Sequence, residues 1–167
     1  MVGVSSGDFK QALGHWPSGV SLVTSQSDAV PAGMTVSAFL SVSLVPPLIA
    51  VCLDQRALTL AVIVSSRRFA VNVLSAGQSG LSERFALKDN EPTRFDGVAL
   101  DSVPGAQSPL ISGAVVHLDC ALDAMHEAGD HVLCVGRVEL ALTHPGLPLI
   151  YYASNYRHLA LPVLSRG

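Results

Sequence analysis

Charge is scarce in this chain. Only 14% of its 167 residues are Asp, Glu, Lys or Arg, and the net charge is −3. No run of Lys and Arg occurs, so nucleic acid is not expected as a partner, because phosphate backbones need clustered cations. Cysteine is scarce too. Cys52, Cys120 and Cys134 are far apart, odd in number and without CxxC spacing. That argues against a disulfide framework and against a closed zinc site. They read as reduced, small core residues of a cytoplasmic protein. Also missing are a GxSxG elbow, a P-loop and a GxGxxG turn after a strand. Their absence argues against serine hydrolases, P-loop phosphoryl transfer and the doubly wound dinucleotide fold. The start lacks a basic stretch followed by an apolar core, so no signal peptide is expected. Neither an internal repeat nor a low-complexity tract occurs.

What the chain has in quantity is apolar residues, at 49%. One domain over residues 1–167 with a sizeable core is expected at this length. Such richness, with so few charges, also points to a buried subunit interface. Residues 29–53 carry no charge and are long enough to span a bilayer. Pro31, Gly33, Pro46 and Pro47 and a period of two argue against a spanning helix, where adjacent prolines would leave backbone groups unpaired. No membrane partner is therefore expected.

The most informative stretch lies inside that segment. Across 33–44, Thr35, Ser37, Ser41 and Ser43 alternate with Val36, Ala38, Leu40, Val42 and Leu44. The alternation predicts one strand with an apolar face and a face of hydroxyls and backbone amides. An exposed sheet face usually carries charge, and this one has none. An uncharged polar face suits a heteroaromatic ligand or a phosphate held without metal.

Elsewhere the pattern predicts a helix over 8–16, with Phe9, Leu13 and Trp16 on one face and Ser5 or Ser6 as cap. Strands follow over 20–25 and 48–53, the second ending at Asp54. A helix over 55–66 has Asp54 available as its cap, and a strand covers 68–74. A helix over 78–87 turns Leu81, Phe85 and Ala86 inward. Residues 88–108 read as a loop excursion with a short strand over 95–98.

A long antiparallel hairpin comes next. In its first arm Val116, Leu118, Cys120 and Leu122 oppose an outward face of His117, Asp119 and Asp123. In its second, Val132, Cys134, Val138, Leu140 and Leu142 oppose His131, Arg137 and Glu139. Residues 148–152 form the last strand, and 154–159 a tail. Roughly seven mostly antiparallel strands with two or three short helices imply a barrel with helical plugs.

Among titratable residues, His131 and Cys134 form an HxxC pair. On a strand, positions three apart face opposite ways, so they do not chelate together and no metal is expected. His131 follows Gly129-Asp130 at the hairpin mouth. Two readings stand: a surface histidine hydrogen-bonded to Asp130, or an acid–base group facing a pocket. His15, His117 and His144 read as structural or solvated.

Several segments together carry a family resemblance. They are LGHWPSGV at 13–20, GMTVSAF at 33–39 with SVSL at 41–44, CLD at 52–54 and FAVNVL at 69–74. Ser82 with Phe85-Ala86, GDH at 129–131, VGRV at 135–138 and PLIYY at 148–152 with Tyr156-Arg157 complete the set. The chain resembles the flavin reductase-like proteins, which include the reductase components of two-component flavin monooxygenases. The resemblance implies a mainly β fold with short helices, an antiparallel FMN-binding split β-barrel of Greek-key type. It also implies a homodimer that binds FMN or FAD, oxidises NADH or NADPH and passes reduced flavin to a separate monooxygenase.

Carried over by motif, Thr35, Val36, Ser37, Ala38, Ser41 and Val42 line the isoalloxazine and ribityl chain. Cys52, Leu53 and Asp54 flank the ring. Thr59, with Ser82, Arg84 and Phe85, lies near the phosphate end. His131 and Tyr156 lie on the nicotinamide side, where His131 orients the donor. Hydride passes directly between the two bound groups, so orientation and polar contacts matter more than a strong nucleophile. The family often has Ser two residues before the threonine at Thr59, where this chain has Ala57. That substitution removes a phosphate hydrogen bond and suits an exchangeable flavin. NADPH would need a cation, for which Arg94, Arg137 and Arg157 are candidates. The alternative on the same barrel is a flavin-binding electron carrier with no nicotinamide site of its own.

Overall fold

The computed structural model describes residues 3–87 and 93–159. Helix α1 (Ser6–Gly14) is capped by Ser5, whose hydroxyl accepts the Asp8 N–H at 3.1 Å. Strands β1 (Ser18–Gly19), β2 (Ser21–Ser27), β3 (Val30–Val36), β4 (Phe39–Leu44) and β5 (Pro47–Asp54) follow. Then come α2 (Leu58–Ser66), β6 (Arg68–Val73) and α3 (Ser79–Ala86). The second half holds β7 (Leu100–Asp101), β8 (Leu110–Ile111), β9 (Val116–Ala128), β10 (His131–Thr143), β11 (Ile150–Tyr152) and β12 (Asn155–Arg157). No described helix is long and apolar enough to cross a membrane.

Seven strands make one antiparallel sheet in the order β3-β2-β6-β9-β10-β5-β4. Near its two ends the sheet meets itself, because β3, at one end of the order, touches β5, next to the other end, and Val36 packs in one cluster with Val51 and Leu53. The sheet is therefore a barrel with a seam. Inside it, Val23, Val51, Leu53, Phe69, Cys120 and Cys134 pack together, and α2 contributes Leu60 and Ile63. A second apolar cluster, Val20, Leu22, Leu74, Phe85, Ile111 and Leu149, lies under α3. Val23 belongs to the first cluster and Leu22 to the second, so β2 is covered on both faces. Gly136 on β10 is a close-approach position: an added Cβ would lie 2.7 Å from Phe69 Cε1 and 2.9 Å from Cys120 Cβ.

Several expectations need correction. The strand expected across 33–44 is two strands, β3 and β4, at opposite ends of the sheet order. Ser37 and Ala38 carry the chain across the seam, and a register shift between Ser41 and Ser43 interrupts the alternation again. Asp54 does not cap α2. Its carboxylate accepts the Arg56 N–H at 2.9 Å, and the helix starts later, on Ala57, which supplies no side-chain cap. Ala86 is exposed at the end of α3, while Phe85 is buried. Residues 95–98 form a turn, and the excursion's strand is β7, paired with β8. Residues 88–92 of that excursion lie outside the described residues. The segment 154–159 is not a plain tail, because β12 pairs with β11.

His117 and Asp119 are fully buried and not solvated. The segment before β9 folds over that face: the Ile111 carbonyl lies 2.9 Å from His117 Nε2, and the Gln107 N–H donates to Asp119 at 2.7 Å. Of the cysteines, Cys120 and Cys134 are in the core, and burial pushes their thiols up to about 12 and about 11. Cys52 is only half-buried.

Candidate functional site

A cleft of about 470 Å³ opens where the two apolar clusters meet. From β3 it receives Met34 and Thr35, with Ser37 just past the strand. Asp54 comes from the end of β5, and Arg56 and Ala57 from the turn into α2. Ser82, Phe85 and Ala86 come from α3, Tyr151 from β11 and Tyr156 from β12. Val20 and Arg94 complete the wall. The volume is that of a small-molecule site, and an apolar lining with a few placed polar groups is the usual chemistry of such sites.

The polar groups are interlinked. Thr35 Oγ1 donates to the Ser82 carbonyl at 2.6 Å, and the Tyr156 hydroxyl donates to Ser82 Oγ at 2.9 Å. These bonds tie β3 and β12 to α3 across the cleft. Tyr151 and Tyr156 meet edge to face, with ring centroids 5.5 Å apart. Arg94 is buried and donates to the Gly33 carbonyl at 2.9 Å and to the Leu87 carbonyl. Gly33 leaves little room for a side chain, since a Cβ would stand 3.0 Å from Phe85 and 3.1 Å from Phe95.

Beside Ala57, the N-terminus of α2 has no side-chain cap; the Leu60 N–H donates to the Ala57 carbonyl at 3.1 Å, which leaves those of Leu58 and Thr59 for an anion. Thr59, in that turn, is fully buried and its Oγ1 has no hydrogen-bond partner. A buried hydroxyl is normally satisfied, so this one calls for an acceptor that the protein does not supply. A ligand with an aromatic body and a phosphate end fits both features.

Of the residues singled out from sequence, Thr35, Ser37, Asp54, Ser82, Phe85 and Tyr156 line the cleft together. Val36 and Leu53 face the barrel core. Ala38 is at the seam next to Cys52, and Ser41 and Val42 are exposed on β4. Thr59 lies behind Ala57 without lining the cleft. Arg84 donates to the carbonyls of Thr93 and Asp96, at 2.6 and 2.8 Å, and so holds the excursion against α3. His131 pairs in register with Asp54, which places it beside the cleft. Its Nδ1–H donates to the Asp130 carboxylate at 2.7 Å. That bond holds the Asp130 carboxyl below the usual carboxylate range.

Arg56 and Tyr151 were not expected in the wall. Arg56 is paired with Asp54 at 3.1 Å. Tyr151 had a usable signal, because it and Tyr156 flank a tight turn and therefore meet across a hairpin.

Comparison with known proteins agrees with this geometry. Residues 13–160 match the family model for the flavin reductase like domain. The chain is 38% identical over 155 residues to the reductase component of 4-hydroxyphenylacetate 3-monooxygenase of Thermus thermophilus, covering 92% of this chain and 97% of that one. It is 40% identical over 157 residues to an NADH-dependent flavin reductase of Rhodococcus, covering 92% and 86%. Among solved structures, the NADH:FAD oxidoreductase SgcE6 of Streptomyces globisporus, in complex with NAD and FAD fragments, aligns with a TM-score of 0.87 and 33% identity over 98% of this chain and 99% of that one. A cleft with an aromatic-compatible floor and an anion-compatible end thus sits on a matching barrel, and this chain belongs to the flavin reductase like domain family.

Proposed function

We propose that residues 1–167 act as a single flavin reductase domain that oxidises NADH, reduces FMN or FAD and releases the reduced flavin to a separate monooxygenase. The observation that carries this reading is the cleft itself: Met34, Thr35, Ser82 and Phe85 line it beside the uncapped N-terminus of α2, and an orphaned, buried threonine hydroxyl lies behind that terminus. The names of the relatives, NADH-dependent flavin reductase and monooxygenase reductase component, support it.

When bound, flavin accepts hydride from the nicotinamide, so the chain needs no strong nucleophile. Met34 and Phe85 supply apolar surface to the ring system. Thr35 and Ser37 face its polar edge. Thr59 Oγ1 and the α2 N–H groups hold the phosphate. His131, fixed by Asp130, presents Nε2 at the mouth and orients the nicotinamide amide. Ala57 leaves α2 without the hydroxyl that the family often has, which favours release of the flavin.

NADH is favoured over NADPH because two of the three candidate cations are engaged. Arg94 is buried on carbonyl groups, and Arg137 is paired with Glu139 at 3.0 Å. A homodimer accounts for the uncovered apolar surface. Phe9, Leu13 and Trp16 are exposed at 55%, 54% and 75%, and Leu40, Val42 and Leu44 of β4 at 50%, 49% and 91%. β4 also carries Ser41, so a partner seated there would complete the flavin site. Three free thiols support a cytoplasmic location.

The test is NADH consumption by the purified protein with FMN or FAD added. Flavin-dependent oxidation is expected with both components and not with either alone. Tight flavin binding without NADH oxidation would leave the electron-carrier alternative in its place. Light scattering should give twice the chain mass, and a monomer would remove the dimer.

A further inference from the structure

Asp101, His117 and His144 come together away from the flavin cleft. A ligand atom from each lies within 4.8 Å of those of the other two, and none of the three lines the cleft. Asp101 belongs to β7, His117 to β9, and His144 follows β10. The rings of His117 and His144 meet edge to face, with centroids 5.1 Å apart.

His117 is fully buried, and its two nitrogens are in different situations. Nε2 lies 2.9 Å from the Ile111 carbonyl, which only an N–H can satisfy. Nδ1 then carries the lone pair, and it is buried without a partner. A metal-ligating histidine shows the same division, with one nitrogen donating to a carbonyl and the other on the ion. Asp101 is likewise oriented by a neighbour, since Ser112 Oγ donates to its Oδ1 at 2.5 Å. His144 is exposed and gives access from solvent.

We propose that Asp101, His117 and His144 bind a divalent transition metal, zinc first, with water as the fourth ligand. Two imidazoles and one carboxylate are a donor set for borderline cations. Tetrahedral zinc holds such atoms about 3.3 Å apart, given bonds of about 2.0 Å, so the three ligand atoms, now within 4.8 Å of one another, have to draw closer around the ion. The ion would pin the β7–β8 ribbon, and with it the excursion before β9, onto the main sheet. Its role is structural and separate from hydride transfer.

The experiment titrates Zn²⁺ into the chelator-treated full chain by calorimetry, with Co²⁺ as a spectroscopic probe. One equivalent should bind, the melting temperature should rise by about 3 °C or more at saturation, and Co²⁺ should show the strong visible bands of a four-coordinate site. His144→Ala changes an exposed residue, so it should fold and bind flavin normally yet bind Zn²⁺ at least about tenfold more weakly. Asp101→Asn should behave likewise, and His126→Ala, at another exposed histidine, should bind as the parent does. No binding by the parent overturns the proposal. So does unchanged affinity in His144→Ala, or an equal loss in His126→Ala.

Discussion

Thr59 offers the sharpest perturbation, because its hydroxyl should cost stability without ligand and add affinity with it. It is the second residue of α2, fully buried, with no partner for Oγ1. An unsatisfied buried hydroxyl costs about 1–3 kcal/mol. Thr59→Val keeps the branch and the volume, and valine and threonine have similar helix propensities. The flavin-free protein should therefore gain about 1 kcal/mol, read as a rise of about 2–4 °C in Tm for a chain of this size. Flavin binding should move the other way. A hydrogen bond to a charged phosphate contributes about 1.5–3 kcal/mol, so FMN affinity should fall about tenfold or more. Riboflavin lacks the phosphate and should bind as before. Urea unfolding of the flavin-free protein and fluorescence-quenching titrations with both ligands measure the two effects. Loss of stability without flavin, or an equal loss of affinity for FMN and riboflavin, would refute the assignment of this hydroxyl.

Four other outcomes follow from the same geometry. Ala57→Ser places a hydroxyl at the N-cap of α2 and should stabilise the protein by about 1 kcal/mol while tightening FMN binding; unchanged FMN affinity would show that this position does not face the phosphate. His131→Ala should lower turnover with NADH about tenfold or more and leave the flavin Kd unaltered, and stopped-flow reduction at saturating flavin would reveal the opposite pattern. Gly136→Ala forces a methyl against Phe69 and Cys120, so urea denaturation should show a loss of about 1–3 kcal/mol; a shift below about 0.5 kcal/mol would mean the strand yields freely. Asp130 has a carboxyl lowered by the His131 hydrogen bond. Its folded-state value lies below the unfolded one, so the bond is intact above the usual carboxylate range and is lost as pH falls through the lowered value. Because Asp130 is exposed, the expected readout is a rise in NADH KM on the acid limb, absent in Asp130→Asn.

Much of the barrel was legible because alternation is a local signal. The β9–β10 hairpin and β6 each bury one strand face in the barrel core, and the apolar residues of 68–74 and 116–122 mark that face. The break between β3 and β4 was hidden for the same reason. Ser37 and Ala38 keep the alternating parity while the chain crosses to the other end of the sheet, so nothing local marks the corner. His117 and Asp119 looked solvated because period two sees only one face, and the cover on the other arrives from residues 107–111.

At the site, Thr35 and Ser37 were legible in the alternation of 33–44, whereas Asp54, Ser82, Phe85 and Tyr156 were found through the family resemblance. Arg94 was considered only as a cation for NADPH, yet it is a buried strut between Gly33 and Leu87. Its position in a Gly- and Pro-rich excursion carries no periodicity. Asp101, His117 and His144 are separated by whole strands, so only the folded topology brings them together.

The most direct measurement is anaerobic mixing of NADH with the purified protein holding one equivalent of FMN, followed at the oxidised-flavin absorption band. Bleaching of the flavin in step with NADH oxidation, much faster than for free FMN and slowed in His131→Ala, is the predicted result. Flavin that binds in the cleft but bleaches no faster than free FMN would contradict hydride transfer at this site.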